Sequence, residues 1–187
     1  MIYKGENKEK KMWFLIIIVL LILFYLVFFW IIPFSLNGAI FDPSRKVSVE
    51  KMVELAQVKK GEISADLGSG DGRVVIAFAK AGAEAHGYEI NPLLVIISRI
   101  NVRKAGLKGK AYIHWKNFWN ADLSKYDIIT VFQIDFAMNK LEDKLRKEIK
   151  PGARVISNHW TFPKWNYSKF EKDIYVYDSR VYSIPKD

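Results

Sequence analysis

Asp66-Leu67-Gly68-Ser69-Gly70-Asp71-Gly72-Arg73 joins a short β-type run, Ile63–Asp66, to a helical pattern through Val75, Ala77 and Ala79. Glycines at such a junction let the backbone turn sharply and approach a ligand at the carboxyl end of a sheet, where open α/β folds bind their ligands. A second strand is expected over Ala85–Ile90, and Pro92, suited to the first position of a helix, opens the next one. Further strands are read at Tyr112–Trp115, Asp127–Phe132 and Arg154–Ser157. A charged amphipathic helix from Met138 to Ile149 ends at Pro151-Gly152. Upstream, Ser48 reads as the N-cap of a helix through Met52, Val53, Leu55 and Ala56. Tyr175–Tyr177 and Arg180–Ser183 read as a terminal hairpin around Asp178-Ser179. The alternation of strands and helices predicts an α/β fold, a parallel sheet with helices on both faces.

The glycine spacing separates two kinds of ligand. A dinucleotide fingerprint places its third glycine five positions after the first. Here Gly68, Gly70 and Gly72 are evenly spaced, and Asp66 precedes the first by two. That pattern suits S-adenosylmethionine, which has no pyrophosphate but carries an ammonium and a sulfonium that favour a nearby carboxylate. Glu89 closes the second strand in Gly87-Tyr88-Glu89-Ile90-Asn91-Pro92, where a carboxylate accepts hydrogen bonds from ribose hydroxyls, as the acid of dinucleotide folds does. Asn117, beside Phe118 and Trp119, offers an amide and an aromatic face for adenine. The competing reading is a set of turn glycines and surface acids.

Composition bounds the remainder. The chain has 187 residues, 29 Lys+Arg against 20 Asp+Glu, a net charge of +9, three histidines and no cysteine. Absence of cysteine excludes a disulfide scaffold, thiolate metal ligation and thiol catalysis, and a half-apolar chain is too hydrophobic for intrinsic disorder. From Met12 to Ile32 every residue is apolar or aromatic, a run of about 30 Å as a helix, enough for a bilayer core. A signal peptide is the rival, but its apolar region is usually shorter, about 7–15 residues. The expected organisation is a basic tail (1–11), a transmembrane helix (12–32), a linker (33–46) and a catalytic domain (47–187). Lys4, Lys8, Lys10 and Lys11 favour a cytoplasmic N-terminus, which would export the domain. The need for a cytoplasmic cofactor overrules that bias, so the expectation is a single-pass membrane protein with a cytoplasmic domain.

The loop, Gly87-Tyr88-Glu89-Ile90-Asn91-Pro92, Ser98-Arg99 and Phe162-Pro163-Lys164-Trp165 together resemble one group of seven-strand methyltransferases. These are the membrane-associated protein lysine methyltransferases of mitochondria, which modify adenine nucleotide translocase and the ATP synthase c subunit, and their prokaryotic relatives. The resemblance covers nearly the whole chain. It implies a Rossmann-like seven-strand sheet and a cofactor site of Asp66, Gly68 and Gly70 at the methionine end, Glu89 at the ribose and Asn117 at the adenine; Ser69 of the loop and Phe118 beside Asn117 are further cofactor-binding candidates. Many relatives carry Asp where Asn117 stands.

On the acceptor side, a lysine amine with a pKa of about 10.4 is only roughly 0.04% neutral at pH 7, so a site must favour its deprotonation. Gln133, after the fourth strand, is a candidate to orient an amine, and Asp135 to relay its proton. For Asp135 the competing reading is a solvated loop acid. Trp160, Phe162 and Trp165 are candidates for a slot around the lysine stem, through cation–π attraction, or else ordinary packing. His86 and His114 read as isolated strand residues, and no metal-ligand spacing is present. The function expected is an S-adenosylmethionine-dependent protein lysine N-methyltransferase acting near a membrane, with no nucleic-acid partner. The alternatives are a methyltransferase for a lipid-like or other small molecule, and a non-catalytic tethered cofactor-binding protein.

Overall fold

The structure is a computed structural model and describes residues 3–27 and 42–180. The chain divides into two compact units, Met1–Ile40 and Phe41–Asp187.

In the first unit, α1 (Tyr3–Leu26) joins the expected basic tail and the apolar run in one helix. Its large side chains from Met12 to Val27 are exposed. Among the described residues no helix is long and apolar enough to cross a membrane. Residues 28–32 of the expected span and 33–41 of the expected linker lie outside the described residues.

The second unit is built on a seven-stranded sheet of order β3-β2-β1-β4-β5-β7-β6. The strands are β1 (Ile63–Leu67), β2 (Glu84–Glu89), β3 (Ala111–Trp115), β4 (Ile128–Val131), β5 (Arg154–Asn158), β6 (Lys169–Glu171) and β7 (Ile174–Asp178). β1 to β5 run parallel, whereas β7 is antiparallel to both β5 and β6. Side chains alternate across the pleat and so feed two cores. Ala85, Ile113, Ile128 and Ile156 meet Met52 of α2 (Lys46–Ala56), Phe78 of α3 (Arg73–Lys80) and Val95 of α4 (Pro92–Lys104). Leu67, Ile129, Val131 and Val155 meet Met138, Leu141 and Leu145 of α5 (Asp135–Glu148) on the opposite face. Pro92 stands at the start of α4, where Asn91 Oδ1 accepts from the Leu93 and Leu94 N–H groups, so two otherwise orphaned donors are capped.

Four local expectations need correction. α2 starts at Lys46, and its N-cap, Arg45, makes no side-chain cap bond, so Ser48 lies inside the helix. The hydroxyl that matters is on Ser44, which is buried and accepts from Asn158 Nδ2 at 3.1 Å, while its carbonyl accepts from Arg73 Nη1 at 2.8 Å. The hairpin is β6–β7 and turns at Lys172-Asp173, both with positive φ (50° and 62°), the backbone that a tight hairpin demands. Asp178 closes β7 instead of opening a turn, and residues 181–183 lie outside the described ones. α5 starts at Asp135, before the expected Met138, because β4 ends early at Val131. Finally, His86 and His114 are neighbours: His86 Nδ1 lies 2.9 Å from His114 Nε2, and its Nε2 lies 3.0 Å from Glu84 Oε1. Pairing of β2 with β3 sets Tyr88 opposite His114 and His86 opposite Tyr112, which stacks these rings on one sheet face.

Candidate active site

The site forms where β1, β2 and β4 end. Gly68, Gly70 and Gly72 all take positive φ (90°, 52° and 83°), a region that L side chains rarely enter. The loop is held down by its own backbone, since the N–H groups of Gly68 and Ser69 both donate to the Tyr88 carbonyl, at 3.0 and 2.9 Å. A Cβ on Gly68 would also stand 2.8 Å from Gln133 Nε2.

Two carboxylates border this loop. Asp66 is buried and accepts from Thr130 Oγ1 at 2.7 Å. Burial pushes its carboxyl up to about 7 against that hydrogen bond, and the charges of Glu89 and Asp71 add to the rise. Glu89, also buried, accepts from the Gly70 N–H at 2.8 Å through Oε2, and from the Ile90 and Asn91 N–H groups at 2.9 and 2.8 Å through Oε1. Burial raises its carboxyl too, opposed by those three bonds. Asp71 is held below the usual carboxylate range despite its own burial, because Arg73 binds it. The result is a glycine loop bordered by the Asp66 and Glu89 carboxylates. A ligand bringing a cation and vicinal hydroxyls fits it, and one bringing phosphates does not. S-Adenosylmethionine is of the fitting kind.

The remaining expected site residues divide. Asn117 caps the turn Phe118–Asn120 after β3, its Oδ1 accepting from the Trp119 N–H at 3.0 Å. Phe118 packs into the core with Tyr88 and Leu123 instead of standing open. Ser69 turns inward: its Oγ would lie 2.6 Å from a Cβ on Gly87, and it has no hydrogen-bond partner among the described residues. Gln133 is buried and donates from Nε2 to the Leu67 carbonyl at 2.9 Å, so it braces the β1–loop junction from β4. Asp135 is exposed as the first residue of α5.

The aromatic slot does not form as expected. Phe162 and Trp165 are each 4% exposed and pack on Tyr177, with ring centroids 4.8 and 5.2 Å away. Their segment is a clamp. The Phe162 N–H donates to Tyr177 Oη at 3.1 Å and the Lys164 N–H to Glu142 Oε2 at 2.9 Å. Trp160 alone of the three is partly exposed. The sequence reading assigned no role to Gly87, Thr130, Arg73 or Ser44; the signal available for Gly87 was a strand-interior glycine, which marks close backbone approach.

A family model described as the ANTKMT methyltransferase domain matches residues 66–169, from the buried acid of β1 into β6. The chain belongs to this family. A lysine N-methyltransferase of Rattus norvegicus, named for the ATP synthase c subunit, is 41% identical over 125 residues, 67% of this chain and 57% of that protein. A protein-lysine N-methyltransferase of Saccharolobus islandicus is 37% identical over 126 residues, 66% of this chain and 78% of that protein. Among solved structures, an RNA methyltransferase from Salinibacter ruber in complex with S-adenosyl-L-homocysteine is 32% identical, with a TM-score of 0.73, over 78% of this chain and 98% of that one. The chain spans about half the length of the first curated relatives it matches. The family, the seven-strand sheet and the glycine loop agree on S-adenosylmethionine as the cofactor.

Proposed function

We propose that the chain transfers a methyl group from S-adenosylmethionine to the amine of a protein lysine, near a membrane. The observation that carries the proposal is kinship: relatives 41% and 37% identical over two thirds of the chain are named for lysine N-methylation. The cofactor supplies an electrophilic methyl on a sulfonium, and the protein's part is alignment and exclusion of water. Asp66 offers a carboxylate to the ammonium, Glu89 an acceptor to the ribose, and Asn117 an amide to the adenine. Gln133 fixes the Leu67 carbonyl at the mouth of the loop, and Trp160 is the partly exposed aromatic for the acceptor. The second half of the proposal is that the apolar run Met12–Ile32 anchors the chain in a membrane, with the catalytic domain on the cytoplasmic side. Support comes from the apolar run Met12–Ile32 and the exposed side chains of α1.

A second reading, methylation of RNA, is favoured by one observation, the 32% identity to a structure bearing that name, almost all of which this chain covers. Incubation of the full chain with methyl-labelled cofactor and host membranes separates the two. Label that resists nuclease and is released by protease supports the protein acceptor. Label released by nuclease supports RNA.

A further inference from the structure

From Ile90 to Ala121 the chain carries six basic residues, Arg99, Arg103, Lys104, Lys108, Lys110 and Lys116, and no acid. This stretch is α4, the loop after it, β3 and the turn that follows. Elsewhere in the second unit several cations are matched by acids: Lys51 with Glu54 and Glu171, Lys144 with Glu148, Arg146 with Glu142, Lys150 with Asp127, and Arg154 with Glu62. Among the described residues none of the six makes an ion pair; Arg99 instead donates to the Ile113 carbonyl and ties α4 to the edge strand. A run of cations with no acid among them creates a local positive field.

The same helix exposes its apolar residues. Ile96 is 55% exposed, Ile97 44% and Ile100 42%. At 100° per residue they share an arc with Lys104, and Arg103 borders it. Trp115 is 66% exposed and anchored, its Nε1 donating to the Ile90 carbonyl at 3.0 Å beside the start of α4. A branched aliphatic stripe, an indole fixed at its polar end and flanking cations together match the chemistry of the interface of an anionic bilayer. A nucleic acid would use the cations and the indole but gain nothing from three isoleucines. Trp115 is also the register partner of Glu89, so this face reaches the cofactor-binding edge of the sheet.

We infer that the exposed face of α4, with Trp115, is a docking surface for an anionic lipid bilayer. It acts separately from α1, and it goes beyond the proposed lysine specificity without depending on it. Docking lays the Glu89 edge against the membrane and brings acceptors at the bilayer surface to the site.

The chain lacks cysteine, so Ile97→Cys places one environment-sensitive fluorophore on the stripe, and Lys147→Cys places one on exposed α5 as a control. The full chain is mixed with phosphatidylcholine vesicles, with vesicles that also carry phosphatidylglycerol, and with single-stranded RNA. The expected result is a blue shift at position 97 that requires phosphatidylglycerol and is absent at position 147. Arg103→Gln with Lys104→Gln should lower the docked-to-undocked ratio by about thirtyfold, as removing two cations near an anionic surface predicts. No shift at position 97 with phosphatidylglycerol vesicles, an equal shift on neutral vesicles, or a shift with RNA in place of vesicles would overturn the inference. Calorimetric binding of S-adenosylmethionine by each labelled chain reports folding. Its retention alongside a failed shift removes the docking surface and leaves the methyltransferase reading standing.

Discussion

The Gly70 N–H donates to the Glu89 carboxylate at 2.8 Å, across the gap between the loop after β1 and the end of β2. Under the proposed function Glu89 therefore has two tasks, since the side chain it would offer to a ribose also fixes the glycine loop after β1. Its three backbone bonds all demand an acceptor.

Glu89→Ala should weaken S-adenosylmethionine binding by about 1.5–3 kcal/mol, on the order of ten- to a hundredfold in Kd. Glu89→Gln should be nearly as damaging, because its NH2 group must face one of those N–H donors. Calorimetric titration of both folded variants checks this, and a glutamine variant close to wild type would show that the loop does not rely on the carboxylate.

Asp66 should trade stability for binding. Its carboxyl titrates near 7 in the fold against 3.8 unperturbed. Between those values the folded state holds more protons than the unfolded one, so this group's contribution to stability falls as pH rises from about 4 to about 7 and is level above. Asp66→Asn can still accept from Thr130 and carries no buried charge. It should therefore melt higher than wild type at pH 8, with the gap closing toward pH 4, while binding the cofactor more weakly. Thermal melts across pH, with calorimetry at pH 8, test both halves.

Gly87→Ala should destabilise the fold by about 1–3 kcal/mol, the usual cost of overpacking. The added Cβ would sit 2.6–2.8 Å from Ser69 Oγ, Ser69 Cβ and Val75 Cγ2. Ser69→Gly in the same chain removes two of those three contacts and should restore part of the loss, a coupling readable by urea unfolding of the two single variants and the double.

Trp165→Ala should cost about 3–5 kcal/mol of stability, as for a buried aromatic, instead of selectively impairing methyl transfer. Urea unfolding gives the value directly. A stable variant with intact cofactor binding and lost transfer would return Trp165 to the acceptor site.

These corrections mark what a sequence shows of such a protein. The βαβ unit was legible because Gly68, Gly70 and Gly72 punctuate a strand and a helix whose apolar patterns are unambiguous. Glu89 stood out because it closes a strand directly before Asn91-Pro92, the start of the next helix. The Phe162–Trp165 segment was misread because its role depends on Glu142 and Tyr177, neighbours that no local pattern reveals. His86 and His114 looked isolated because their adjacency exists only once β2 pairs with β3. The β6–β7 turn was missed because Lys172-Asp173 lacks the glycine that usually announces positive φ, whereas Asp178-Ser179 imitates a turn by composition.

The most direct test of the account is the chemical form of the transferred methyl group. The full chain is incubated with methyl-labelled S-adenosylmethionine and host membranes, and the products are hydrolysed to amino acids and nucleosides and resolved by chromatography. The account predicts that the label migrates with Nε-methylated lysine and falls with Glu89→Ala at a cofactor concentration below the variant's Kd. Label migrating with a methylated nucleoside or a lipid fragment, and none with lysine, would contradict it.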